Sequence, residues 1–242
     1  MGGLGGIFVP PHCLVCFRAT GSSGMLCGAC WANMRFIEHP RCRILGAPLA
    51  YDSGFETTSL TALADPPVFD RLRSVAVFND ISGALVRRLK FGDEPELARW
   101  MAHWMVRAGK ELLVPGVTIV PVPLHRQRLV RRRFNQSAEL ARHLALQANG
   151  TYKPELLQRI RPTRQQVGLG ARQRQRNVRG AFISAPEHEI HIRGKHLILV
   201  DDVYTTGATL QACSRALRRK GAAKIDCLTF AQVASGVANG HQ

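Results

Sequence analysis

The chain has 242 residues, 45% of them hydrophobic, which suits one globular domain of ordinary size plus a small appendage. No stretch approaches the roughly 18 continuous apolar residues a membrane span needs, and the start, MGGLGGIFVPPHC, lacks the basic and apolar regions of a signal peptide, so a cytoplasmic protein with no membrane span is expected. Lys+Arg total 33 against Asp+Glu 17, a net charge of +16, and a field this positive favours a polyanionic partner, either nucleic acid or a phosphorylated small molecule.

Residues 1–12 are Gly-rich, and residues 13–50 hold five of the seven cysteines. Cys13-x2-Cys16 is followed ten residues later by Cys27-x2-Cys30. Two CxxC pairs at that distance are a strong signature of tetrahedral zinc, because each pair can sit on a tight turn with both thiolates on one side. Four thiolates leave no open coordination position, so the metal is structural. Residues 1–50 are therefore expected to form a small zinc-ribbon module. Cys42 is left over, as a free thiol or an alternative ligand, while Cys213 and Cys227 read as core residues. Residues 51–73 are rich in Thr, Ser, Asp and Pro and read as a linker or loop.

From 74 to 242 the pattern changes to strands and helices in alternation. Strands are expected at 74–78, 117–123, 195–203 and 224–233, and helices at 81–92, 95–113, 134–148 and 207–221. Residues 161–180 are rich in Arg and Gln, without a period. This alternation predicts an α/β fold with a mostly parallel sheet covered on both faces. Between Arg126 and Arg179 there are thirteen Arg and one Lys but only two acids, Glu139 and Glu155. Arginine's planar fork suits phosphate, and Arg128, Arg131, Arg132 and Arg133 are the candidates for nucleic-acid contact.

The most informative stretch is LILVDDVYTTGAT, Leu197 to Thr209. A buried strand delivers Asp201 and Asp202 at its carboxyl end, where ligands bind in open α/β sheets. A short turn then leads into a helix N-terminus, with its unpaired N–H groups and positive dipole end. Thr205, Thr206 and Thr209 add hydroxyl donors, and Gly207 lets backbone approach an anion closely. The loop reads as a phosphate cradle beside two acids suited to a sugar diol or to the water shell of Mg2+.

These thirteen residues resemble the 5-phosphoribosyl-1-pyrophosphate (PRPP) fingerprint of the type I phosphoribosyltransferases. More of the chain resembles the ComF-type competence proteins of that superfamily: Lys90-Phe91-Gly92, VPVPLHRQRLVRRRFNQSAELARHLA (120–145), RPTRQQVGLGARQRQRNVRGAF (161–182) and the N-terminal CxxC pairs. Two departures stand out. No Gly separates Arg133 from Phe134, and only Cys42 remains of a further CxxC. The resemblance implies that Asp201 and Asp202 contact the ribose hydroxyls and that Thr205, Thr206, Gly207, Ala208 and Thr209 wrap the 5-phosphate, with Mg2+ accompanying PRPP. His125 and Arg126 would face the pyrophosphate, although His125 reads equally as a polar residue approaching a helix. Arg172, Arg174 or Arg176, on a closing loop, would cover the leaving group. Residues 1–70 would form the hood that builds the acceptor pocket. The resemblance also implies a role in handling single-stranded DNA beside competence-machinery proteins. The alternative is non-catalytic: DNA binding, or PRPP sensing.

Overall fold

The computed structural model describes residues 10–52, 54–92, 94, 96–125, 134–161 and 171–234. Strand β6 (His196–Tyr204) carries the unbroken apolar run Leu197–Val200, and burial on both faces places it inside the sheet. It lies between β7 (Lys224–Gln232) and β2 (Thr118–Pro121). Outside these lie β1 (Arg71–Val77), next to β7, and the two-residue β3 (Thr151–Tyr152), next to β2. Every pairing in this five-stranded sheet is parallel. A separate antiparallel pair joins β4 (Gln158–Arg159) to β5 (Phe182–Ile183).

The helices are α1 (Gly28–Ala32), α2 (Leu60–Ala64), α3 (Asp80–Phe91), α4 (Glu96–Ala108), α5 (Gln136–Gln147), α6 (Ala171–Val178) and α7 (Ala208–Arg219). A reciprocal capping box between Asn79 and Ser82 starts α3, and Asn135 caps α5 by accepting the Ser137 N–H. Apolar side chains of α3, α4 and α5, among them Leu85, Met101 and Leu140, pack with Ile198, Val200 and Phe230. A second cluster includes Leu72, Val120, Leu199, Leu217 and Cys227, and here α7 contributes the helical side. Cys213 and Cys227 are buried core residues, as their sequence context implies.

The N-terminal segment divides between the two clusters. Cys13, Leu14, Cys30 and Met34 join the first, whereas Cys42, Leu45, Ala62 and Phe69 join the second. Between them, Phe36 bridges Ala76 on the free edge of β1, with Val77 donating to the Arg35 carbonyl at 2.8 Å. The open sheet edge is thereby covered. The antiparallel bridge of His12 with Ala19 is repeated by Arg41 with Pro48, so the chain makes a second ribbon turn at Cys42. The Cys42 Sγ there accepts N–H bonds from Leu45 at 3.4 Å and Ser59 at 3.2 Å.

Three expectations need adjustment. The helix expected over 95–113 ends at Ala108, and the chain then turns at Gly109, where packing is so close that a Cβ would sit 2.1 Å from a Leu228 methyl. The stretch expected to be linker contains α2, capped by Ser59, and the first residues of β1. Part of the aperiodic 161–180 segment is α6, anchored by buried Val178.

Candidate functional site

The carboxyl ends of β2 and β6 and the N-termini of α5 and α7 converge on one cleft of about 500 Å³. Strand β6 delivers both acids there. The Asp201 carboxylate accepts the Ser137 hydroxyl at 2.8 Å and the Asp202 N–H at 2.9 Å. Ser137 reaches it because Asn135 both caps α5 and donates through Nδ2 to the Val122 carbonyl at 3.0 Å, fastening that helix start to the end of β2. Burial, then the charge of Asp202, push the Asp201 carboxyl up to about 7, against its hydrogen bonds and the positive charge of Lys90. Asp202 is buried, and its Oδ2 lies 2.8 Å from the Lys90 ammonium.

Past the acids the chain turns through Thr205 and Thr206 into α7. Gly207 stands at the N-cap in the left-handed region, φ 75°, with no side chain to cap the helix. A Cβ there would lie 2.8 Å from the Tyr204 hydroxyl oxygen, so glycine is required twice over. The first-turn N–H groups of α7 consequently have no side-chain acceptor at the N-cap. Among the described residues the Thr206 hydroxyl is buried without a hydrogen-bond partner. An anion would satisfy the N–H groups of the helix start. Thr205, Gly207, Ala208 and Thr209 all line the cleft, whereas Thr206 is absent from the lining.

The other wall departs from expectation. No described residue of 1–70 lines the cleft; Phe78 and α3 do, through Gly83, Val86, Arg87, Lys90 and Phe91. The N-terminal module backs α3 from elsewhere: Arg88 donates to the Leu14 carbonyl and lies 4.4 Å above the Phe17 ring. Arg159, Gln136 and Ser137 complete the lining. None of these three was read as a site residue. For Ser137 the available signal was its place in the first turn of a helix following a strand with a proline-rich carboxyl end. His125 follows β2 but is absent from the lining. Arg126, Arg128, Arg131, Arg132 and Arg133 lie outside the described residues. Arg172, Arg174 and Arg176 lie on α6, where Arg176 is exposed.

Away from the cleft, the sulfurs of Cys13, Cys16, Cys27 and Cys30 lie within 4.8 Å of one another. Zn–S bonds of about 2.3 Å in a tetrahedron need sulfurs about 3.8 Å apart, so the four fit zinc. Burial opposes ionisation of Cys13, but backbone N–H groups of Cys16, Cys27 and Val15 outweigh it and bring the thiol down to about 6. Cys42 belongs to the other half of the module and to no such cluster among the described residues, which removes it as an alternative ligand. Among those residues, no helix is long and apolar enough to cross a membrane.

Comparison with known proteins agrees with this division. Residues 5–60 match the double zinc ribbon domain and residues 136–239 the phosphoribosyl transferase domain. The chain is 34% identical to the DNA utilization protein YhgH of Salmonella typhimurium, over 88% of this chain and 86% of that one. It is 30% identical to competence protein F of Haemophilus influenzae, over 83% of this chain and 87% of that one. A solved glutamine PRPP amidotransferase from B. subtilis, complexed with ADP and GMP, aligns at 18% identity with a TM-score of 0.39, over 59% of this chain and 30% of the other.

Proposed function

The chain belongs to the family of DNA utilization protein YhgH and competence protein F, and from that premise we propose that its cleft binds PRPP with Mg2+ as a phosphoribosyl donor in the handling of DNA taken up by the cell. The observation that carries this reading is the conjunction at the end of β6: paired acids beside a loop with an orphaned hydroxyl and an uncapped helix start. The 5-phosphate takes the N–H groups of α7 and the hydroxyls of Thr205, Thr206 and Thr209. Asp201 and Asp202 accept the ribose hydroxyls. Transfer then breaks the bond from C1 to the pyrophosphate oxygen, which leaves with the electron pair, while an acceptor's lone pair forms the new bond to C1. His125, Arg126, Arg172, Arg174 and Arg176 are the candidates for the leaving-group side, where cations stabilise the developing charge. Hard carboxylate oxygens beside the cleft suit Mg2+, which supplies further neutralisation of the pyrophosphate when bound. The acid pair and the loop hold the donor between the walls from α3 and α5.

Thermal unfolding tests this directly. PRPP with Mg2+ at about 100 times Kd stabilises by about 2.7 kcal/mol, roughly 5–10 °C for a chain of this size. No rise in Tm at millimolar PRPP contradicts the reading.

The net charge of +16 favours a second, compatible activity, contact with single-stranded DNA through Arg128 and Arg131 to Arg133. Affinity for an oligonucleotide that stays constant between low and high salt rules out such an electrostatic footprint. Seven cysteines without a disulfide suit a reducing cytoplasm, and the relatives' DNA utilization and competence names favour partners in the competence machinery.

A further inference from the structure

Resting on the reading of the cleft as a PRPP site, we propose that Lys90 is the donor site's resident cation. Its ammonium holds Asp202 while the cleft is empty and turns to the pyrophosphate when the ribose hydroxyls take the carboxylate.

The placement follows from helical periodicity. Gly83, Arg87, Lys90 and Phe91 recur at the spacing of one face of α3, and that face is the cleft wall. Arg88, on another face of the helix, is committed to the Leu14 carbonyl and to Glu94. The N-terminal module therefore fixes how α3 is rotated, and the rotation aims Lys90 at the acids.

The chemistry follows from charge. Two carboxylates abut at the end of β6, and a polyanionic ligand must settle beside them. Among the described residues, Lys90 is the cation within ion-pair distance of either acid, 2.8 Å from Asp202, and no other acid pairs with it. Its side chain is 24% exposed and that of Asp202 11%, so the pair is shielded but reaches the cleft. A purely structural pair would leave Asp202 unable to accept the diol without stranding a cation. A lysine avoids this, because its ammonium sits on a flexible four-carbon stem and can swing to a new acceptor without moving the helix. Arg87, one turn earlier on the same wall, extends the positive surface on that side.

The test compares calorimetric titration of zinc-loaded parent, Lys90→Met and Lys90→Arg with PRPP and with ribose 5-phosphate, each with Mg2+. Ribose 5-phosphate has the diol and the 5-phosphate but no pyrophosphate. Lys90→Met is expected to weaken PRPP about 10- to 100-fold, the range for a lost charged hydrogen bond, and to leave ribose 5-phosphate within about threefold. Retained ribose 5-phosphate binding also shows that the variant is folded. Lys90→Arg keeps most of the PRPP affinity. Equal losses for both ligands overturn the proposal, since Lys90 would then serve only Asp202. Unchanged PRPP affinity in Lys90→Met overturns it too, with the PRPP reading intact. A parent that binds ribose 5-phosphate and PRPP equally well removes the pyrophosphate subsite and the proposal with it. A parent that binds neither defeats the underlying reading instead.

Discussion

Replacing Asp201 by Asn removes a charge but keeps the oxygen that accepts the Ser137 hydroxyl and the Asp202 N–H. In the fold this carboxyl titrates at about 7, against 3.8 for the free side chain. Between those values the unfolded chain releases the proton while the folded chain keeps it. Stability therefore falls as pH rises, and the cost is complete above about 7. The gap corresponds to at most about 4 kcal/mol, and water in the open cleft screens it to about 1–2 kcal/mol. Asp201→Asn should thus raise the Tm of the ligand-free protein at pH 8 by about 2–8 °C. At pH 4, close to the free carboxyl value of 3.8, less than half of that gain should remain. Scanning calorimetry at the two pH values measures both, and the same variant should lose PRPP binding. A destabilised variant at pH 8, or an equal gain at both pH values, refutes the reasoning: the carboxylate would then not be held at a cost for its ligand.

Gly207→Ala places a Cβ in a left-handed backbone position and 2.8 Å from the Tyr204 hydroxyl oxygen; a loss of at least about 1–2 kcal/mol on urea unfolding is expected, with PRPP binding lost as well. Glu111 accepts from Arg41 at 2.9 Å and Arg73 at 2.5 Å, and the arginine side chains are almost fully buried. Glu111→Ala should cost about 2–3 kcal/mol, tempered by the open edge of the glutamate, and a cost below about 0.5 kcal/mol would show that the arginines re-solvate freely. Elemental analysis should find a single zinc per chain, lost in Cys30→Ser and retained in Cys42→Ser, because the second ribbon turn holds its lone sulfur with N–H groups. Two zinc ions per chain would contradict that assignment.

Much of the phosphoribosyl transferase domain was legible because its signals are local. The run Leu197–Val200 has no polar break, which suits an interior strand, and the acids and threonines that follow it are contiguous in sequence. What stayed hidden depends on packing. Nothing in residues 1–70 reveals that the module grips the outside of α3 through Leu14 and Phe17 rather than roofing the cleft. The second ribbon turn was invisible because its remaining cysteine signal is Cys42 alone, while the turn itself is held by main-chain bonds such as Cys42 N–H to the Ala47 carbonyl at 2.7 Å. Helix α6 consists mainly of Arg and Gln, so it has no apolar stripe to read, and Val178 is the buried one among its described side chains. Lys90 carried a resemblance but no role until its distance to Asp202 was known.

The most direct test of the central claim is isothermal titration of the zinc-loaded protein with PRPP and Mg2+, run beside the Asp201→Ala, Asp202→Ala double variant. Binding in the parent that vanishes in the variant, with the zinc content of both unchanged, is the predicted result. No heat of binding in either, or equal affinity in both, would contradict a PRPP site at the end of β6.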